Sequence, residues 1–242
     1  MEKEILEVNR LHLNNIVKDM GEEKLLELKE RFMLEYTFDA VGMEGKNKIP
    51  LNEVARLYKA GMINGYSERE QKEVVNHLEA YKLMKKWLKD GITDIDEEKL
   101  KDLHEVLVRD IFQGGIYRNV NIQIVGAKHQ PTSHFKVYDK MKKAFNNEEY
   151  EQMSDFEKAL YSSAQIAKIH PFFDANGRVG RLVMNFYLMK AGYIPISISE
   201  ELRDEYFNHL ETFKIDDNIE PLTKFIKNLI NKRYESLINE LE

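Results

Sequence analysis

His170-Pro171-Phe172-Phe173-Asp174-Ala175-Asn176-Gly177-Arg178-Val179-Gly180-Arg181 gathers a base, a carboxylate, a glycine turn and two arginines into one short stretch. Apolar residues recur at helical spacing through 156–169, and Pro171 pushes its predecessor out of the α region, so a helix ending near His170 is predicted. Beyond the loop, Leu182, Val183, Phe186, Tyr187 and Met189 keep helical spacing as far as Gly192, a residue suited to the left-handed C-terminal position. The stretch therefore reads as helix, short loop, helix, with the imidazole at the mouth of the loop.

That arrangement suits phosphate chemistry. The first turn of the second helix offers unpaired backbone N–H groups and the positive end of the helix dipole to an anion, with Asn176 and Gly177 lining the space. Arg178 and Arg181, three apart, share a helix face and can grip successive phosphates, and Gly180 is grouped with them. Asp174 is an oxygen ligand for Mg²⁺ or Mn²⁺, a hard cation that completes its shell with water and substrate phosphates. His170 is the natural acceptor of a proton from an attacking hydroxyl. Singly, each feature has a plainer reading: His-Pro ends helices, Asn-Gly makes turns, and paired arginines line solvated faces. Together they imply nucleotidyl or phosphoryl transfer, and no P-loop pattern accompanies them.

The stretch resembles the signature of the Fic proteins, H-P-F-x-(D/E)-(G/A)-N-G-R-x-x-R, at every fixed position, with Ala175 where glycine is commoner. The resemblance implies an enzyme that moves AMP from ATP to a Tyr, Ser or Thr hydroxyl of a protein. His170 would deprotonate the hydroxyl, Asp174 would hold the metal on the α- and β-phosphates, Asn176 and Gly177 would form the anion hole, and Arg178 and Arg181 would bind the β- and γ-phosphates. Phe172 would anchor the loop in the core.

Two further segments extend the likeness. Gly115-Ile116-Tyr117-Arg118, followed by 119–126 and Gln130-Pro131, looks like the family's G-x-Y-R stretch leading into a β-hairpin flap over the active site. Val120, Ile122 and Ile124 alternate with Asn119, Asn121 and Gln123, which is a strand's period of two. In the family a target segment adds to this flap as an extra strand, which would make Asn121, Ile122, Gln123 and Ile124 the docking edge. A purely structural hairpin is the alternative. Residues 35–45 resemble the family's inhibitory motif, (S/T)-x-x-x-E-(G/N), which sends a glutamate into the active site. Glu44 would pair with Arg181 in place of the γ-phosphate. Ala40 stands where the motif has Ser or Thr, and Lys46 intervenes before Asn47. A plain surface carboxylate is the other reading of Glu44.

The chain has 242 residues, enough for one large domain. Its 12 glycines and 5 prolines are few for that length. Long segments with apolar residues three and four apart favour an all-α fold, and the resemblance implies a Fic-type helical bundle with a small β-hairpin flap. Helices are expected at 3–19, 21–39, 51–60, 67–89, 96–110, 137–145, 154–169, 176–191, 199–213 and 218–241. No linker divides the chain, so 1–242 is read as a single domain in which 1–60 is an N-terminal lobe carrying the inhibitory motif and 95–200 is the catalytic core.

A net charge of −6 argues against nonspecific binding to nucleic acid. The absence of cysteine excludes disulfides, thiolate zinc sites and a cysteine nucleophile, and fits a reducing cytoplasm. No apolar signal segment or stretch of 18 apolar residues occurs, so neither export nor a membrane span is expected. The partners expected are ATP and a protein with an exposed hydroxyl, which includes the chain itself; a homo-oligomer is compatible with the sequence. The leading reading is an AMP transferase held in check by Glu44. The alternatives are a phosphodiesterase that removes AMP, with Glu44 orienting water, and a nucleotide-binding module without turnover.

Overall fold

The computed structural model describes residues 2–43, 47–124 and 126–242, with side chains from Ile5 onward. Among these, the helices are α1 (Glu2–Lys18), α2 (Glu22–Gly42), α3 (Leu51–Ala60), α4 (Glu68–Lys89), α5 (Glu97–Val108), α6 (Val137–Phe145), α7 (Glu148–Gln152), α8 (Asp155–Ile169), α9 (Asn176–Lys190), α10 (Arg203–Asp216) and α11 (Glu220–Leu241). Short 3₁₀ turns precede α6 and α10. The all-α expectation holds, and ten helices fall where the periodicity put them.

The antiparallel pair α8 and α9 forms the centre. Ser154 and Glu157 start α8 with a capping box in which each side chain bonds the other's backbone N–H. The helix ends at His170, which takes the left-handed conformation (φ 54°) before Pro171. Gly180 explains how closely the two helices approach: a Cβ there would lie 3.4 Å from the Ser163 carbonyl of α8. Gly180, expected among the phosphate-binding residues, thus faces α8. As predicted, Gly192 lies just past the end of α9 in the left-handed region (φ 83°).

Around this pair, α4 packs on α5, α9 and α2, while α10 packs on α8 and α1 on α11. Leu103, Phe172, Val179, Leu182, Phe186 and Tyr187 are fully buried at the centre of one continuous core. The contacts of α2 with α4 and α9 bring its last turn to the side of α9 that carries Arg181.

The flap departs from expectation. No strand is formed among the described residues, and 119–124 carries no ladder hydrogen bonds. The alternation survives as burial only over 121–124, with Ile122 and Ile124 half-buried and Asn121 and Gln123 exposed, while Val120 is exposed. A strand needs a partner for its backbone groups, and an isolated two-stranded hairpin is marginal in water. The segment is instead held near its start. Val120 O accepts from Arg118, and Asn121 Oδ1 accepts from the His134 backbone at 2.9 Å.

Candidate active site

The loop between α8 and α9 is braced from within. Asn176 uses both ends of its amide on one residue: Oδ1 accepts from Phe172 N at 2.8 Å and Nδ2 donates to Phe172 O at 2.9 Å. The side chain expected to line an anion hole therefore closes the loop. Phe172, fully buried, stacks on His104 with centroids 3.9 Å apart and lies 5.5 Å from the Tyr117 ring. Ala175 is in the left-handed region (φ 62°), so the position where glycine is commoner does require glycine-like angles. Alanine accepts them at a cost of about 1 kcal/mol.

His170 sits at the C-terminal end of α8, with Nδ1 buried and lacking a partner in full hydrogen-bond geometry. Burial, and then the nearby Lys214 ammonium, pull its pKa down to about 4; the Arg118 charge adds to this, while the Ala167 carbonyl and Asp174 oppose it. A neutral imidazole at physiological pH is the form that can take a proton.

Facing it, α9 begins with no side chain capping its first turn and no acidic residue within it. The exposed donors and dipole of that turn remain available to an anion. Asp174 Oδ1 accepts from Ala175 N at 2.7 Å and lies 3.7 Å from Arg178 Nη2, while Oδ2 is 3.2 Å from Arg69 Nη2 on α4. Arg178 and Arg181 are both buried on α9, and they point to different neighbours: Arg178 toward Asp174, Arg181 toward α2, where Nη2 donates to Ala40 O at 3.0 Å. Glu44, the expected partner of Arg181, lies outside the described residues, as do Gly45 and Lys46.

No group of three or more His, Asp or Glu side chains that could hold a metal occurs among the described residues. Asp174 alone still fits Mg²⁺ of the kind held by one carboxylate together with substrate phosphates, and 20% of its side-chain surface is exposed.

Several residues that sequence reasoning missed or left without a role shape the site. His104 Nδ1 accepts from Gly115 N at 3.1 Å, which puts the ring proton on Nε2, toward the Asp174 backbone. Gly114 packs so closely on α5 that an added Cβ would come within 2.5 Å of Glu105 Cα, which explains the glycine pair there. Thr37 Oγ1 and His77 Nδ1, both fully buried, hydrogen-bond at 2.9 Å between α2 and α4. Burial holds His77 neutral, with Arg178 and Arg181 next in effect. Only the G-x-Y-R spacing signalled any of this. Arg69 and His77 carry no local pattern at all.

A model of the Fic/DOC family matches residues 94–188. Two curated relatives, both called protein adenylyltransferase Fic, are 26% identical in Drosophila grimshawi, over 93% of this chain, and 27% identical in Drosophila persimilis, over 84%. The chain spans 51% and 40% of their lengths. Among solved structures, a Fic-domain signaling protein from Bacteroides thetaiotaomicron superposes with a TM-score of 0.84 at 19% identity, covering 98% of this chain and 96% of its own. Fic-1 from C. elegans gives 0.83 at 20% identity, covering 100% and 74%. The Fic/DOC model thus matches the stretch that holds the loop between α8 and α9, and the fold of the whole chain is that of the solved Fic structures.

Proposed function

We propose that this chain is a protein adenylyltransferase that moves AMP from ATP to a Tyr, Ser or Thr hydroxyl, with 95–200 as the catalytic core and 1–60 as a lobe that restrains it through Glu44. The observation that carries the reading is a neutral His170 at one end of a rigid loop whose other end is an uncapped helix N-terminus flanked by two buried arginines.

In this reading His170 accepts the proton of the target hydroxyl. The hydroxyl oxygen forms a bond to the α-phosphorus of ATP, the bond to the β-phosphate oxygen breaks, and pyrophosphate leaves. The first turn of α9, with the N–H of Gly177, steadies the phosphate oxygens, and Arg178 and Arg181 hold the β- and γ-phosphates. Mg²⁺ on Asp174, when bound, would offset phosphate charge. Residues 121–124, which form no strand with another segment, are the proposed docking edge for the target. The composition suits a cytoplasmic protein, and no helix among the described residues is long and apolar enough to cross a membrane.

The test is incubation with labelled ATP and Mg²⁺, comparing the natural chain with Glu44→Gly and with Glu44→Gly combined with His170→Ala. AMP on protein in the single variant and none in the double supports the assignment. Absence of transfer from all three rejects it.

A further inference from the structure

Arg118 is 5% exposed, and among the described residues no carboxylate pairs with it. Its partners are backbone carbonyls. Nε donates to His170 O at 2.8 Å, Nη1 to Val120 O at 2.8 Å, and Nη2 to Thr132 O and, at 3.4 Å, to Ile169 O. Its own backbone N–H donates to Pro171 O at 2.9 Å. One residue thus binds the carbonyls of 169, 170 and 171 together with one from each end of the segment 119–132.

Burying a guanidinium without a counter-ion is costly, and burial lowers its pKa. An apolar side chain would fill the same space at no such cost, so the charge serves something other than packing. Ile169 and His170 supply carbonyls at the C-terminal end of α8, where the helix leaves acceptors unpaired and the dipole is negative. Arg118 caps that end from outside the helix. The cap is anchored on the backbone of His170 itself, a residue in the left-handed conformation that a non-glycine residue holds only when its surroundings enforce it. The other side of the planar fork fastens the proposed docking segment.

We propose that Arg118 is a positioning residue that fixes the backbone of His170 and ties it to Val120 and Thr132, on either side of the proposed docking edge 121–124, so that the base and the incoming hydroxyl keep one register. This rests on the reading of His170 as the base. The planar fork is essential to it, because an ammonium at the same place cannot reach carbonyls on two sides.

The experiment uses the Glu44→Gly chain as parent, with Arg118→Lys and Arg118→Gln added. Expected for both is a fall in kcat of about 10- to 100-fold, with KM for ATP and calorimetric ATP affinity within twofold of the parent, since the phosphate-binding residues are untouched. Lysine restores the charge without restoring kcat. Trypsin is expected to cut after Lys128, which is exposed between Val120 and Thr132, several times faster in both variants. Parental kcat in either folded variant overturns the proposal. So does loss of ATP affinity in proportion to kcat, which marks a general structural role. If Arg118→Gln does not fold, Arg118→Lys decides alone. If the parent itself transfers no AMP, the adenylyltransferase reading fails separately, and cleavage at Lys128 no faster than in the parent then overturns the tether.

Discussion

The guanidinium of Arg181 on α9 donates to the carbonyl of Ala40, in the last turn of α2, at 3.0 Å. Ala40 is the residue that would stand at the hydroxyl position of the proposed inhibitory motif, and the arginine is 2% exposed. In the proposed mechanism Arg181 is also the γ-phosphate ligand. The end of α2 and the nucleotide therefore call on the same side chain, which makes the first expected outcome a competition.

Glu44→Gly is expected to raise AMP transfer. A carboxylate four residues beyond Ala40 would add charge to a contact that α2 already makes through its backbone, and removing it frees Arg181 for phosphate. If the natural chain is competent about 1% of the time, a bias of about 2.7 kcal/mol is removed and the rate rises up to roughly a hundredfold. Mass spectrometry of the labelled protein reads the change. Equal or lower labelling in the variant removes Glu44 as an inhibitor.

Thr37→Val is expected to loosen the same restraint from a different point. The hydroxyl missing at Ala40 has a counterpart one turn earlier, in Thr37, whose bond to His77 joins α2 to α4 in the core. Valine keeps the shape and leaves the buried His77 Nδ1 unpaired, at a cost of about 1–3 kcal/mol. Melting temperature should fall, and basal AMP transfer should rise severalfold in the otherwise natural chain. In the Glu44→Gly chain the same change should leave the rate alone, since no restraint remains to release. A matching rise in both backgrounds would separate Thr37 from the inhibitory lobe.

These contacts also mark how far the sequence could be read. The stretch 170–181 was legible because its chemistry is local: proline ends α8, and every proposed phosphate contact lies within twelve residues of His170. Long-range partners leave no such trace. Arg69 is 105 residues from Asp174, and Thr37 is 40 from His77. Helix α7 escaped notice because five residues, capped by Asn147 and holding one buried Tyr150, are too few to show a period. The alternation at 119–124 was read correctly as a pattern, but pattern alone does not supply the partner that turns it into a strand. Asn176 illustrates a subtler limit, since its type announced a polar role while only the coordinates show the amide spent on Phe172.

Asp174→Asn is expected to lower transfer on the order of a hundredfold, because a neutral amide is a poor ligand for a hard dication and several kcal/mol of charge compensation is lost. Arg69→Ala should act in the opposite sense on the metal alone. It removes a cation now 3.2 Å from Asp174, so half-maximal activity should be reached at lower Mg²⁺. Titrating Mg²⁺ in the Glu44→Gly background checks both. Undiminished labelling in EDTA would reject the metal role of Asp174.

The pH dependence of stability follows from three histidines whose folded pKa values are depressed. Burial is the main cause in each, taking His104 and His170 down to about 4 and His77 well below its ordinary value. The sign is fixed by where the protons go. Above about pH 6.5 both folded and unfolded chains hold these rings neutral, and their contribution is fully present. Below that the unfolded chain takes up protons that the folded chain refuses, so stability declines between about pH 6.5 and 4, by at most about 1.4 kcal/mol per pH unit for each ring. Thermal melts at constant ionic strength should show that slope, and His104→Gln should reduce it by one ring's share whatever it does to stability at pH 8. A slope unchanged in that variant would mean that His104 is protonated in the folded protein.

The catalytic consequence of the same burial is the sharpest test of His170. An exposed imidazole would lose its ability to accept a proton as pH falls through about 6.5, giving an activity profile that drops across the mildly acidic range. With its pKa at about 4, His170 remains neutral there, and kcat/KM, which reports the free enzyme, should stay flat from pH 8 to about 5 and fall only below it. Lys214 is the largest charge acting on the ring after burial itself, and it sits 3.6 Å from Glu211 with its own pKa lowered by burial. Removing its charge in Lys214→Met should therefore move the acidic limb upward toward neutrality while leaving the plateau rate near that of the parent. The measurement is initial-rate AMP transfer by the Glu44→Gly chain with and without Lys214→Met, at saturating Mg²⁺ across the range. A limb at about 6.5 in the parent, or one that Lys214→Met does not move, would show that the proton is taken by a group in water and not by an imidazole buried at the end of α8.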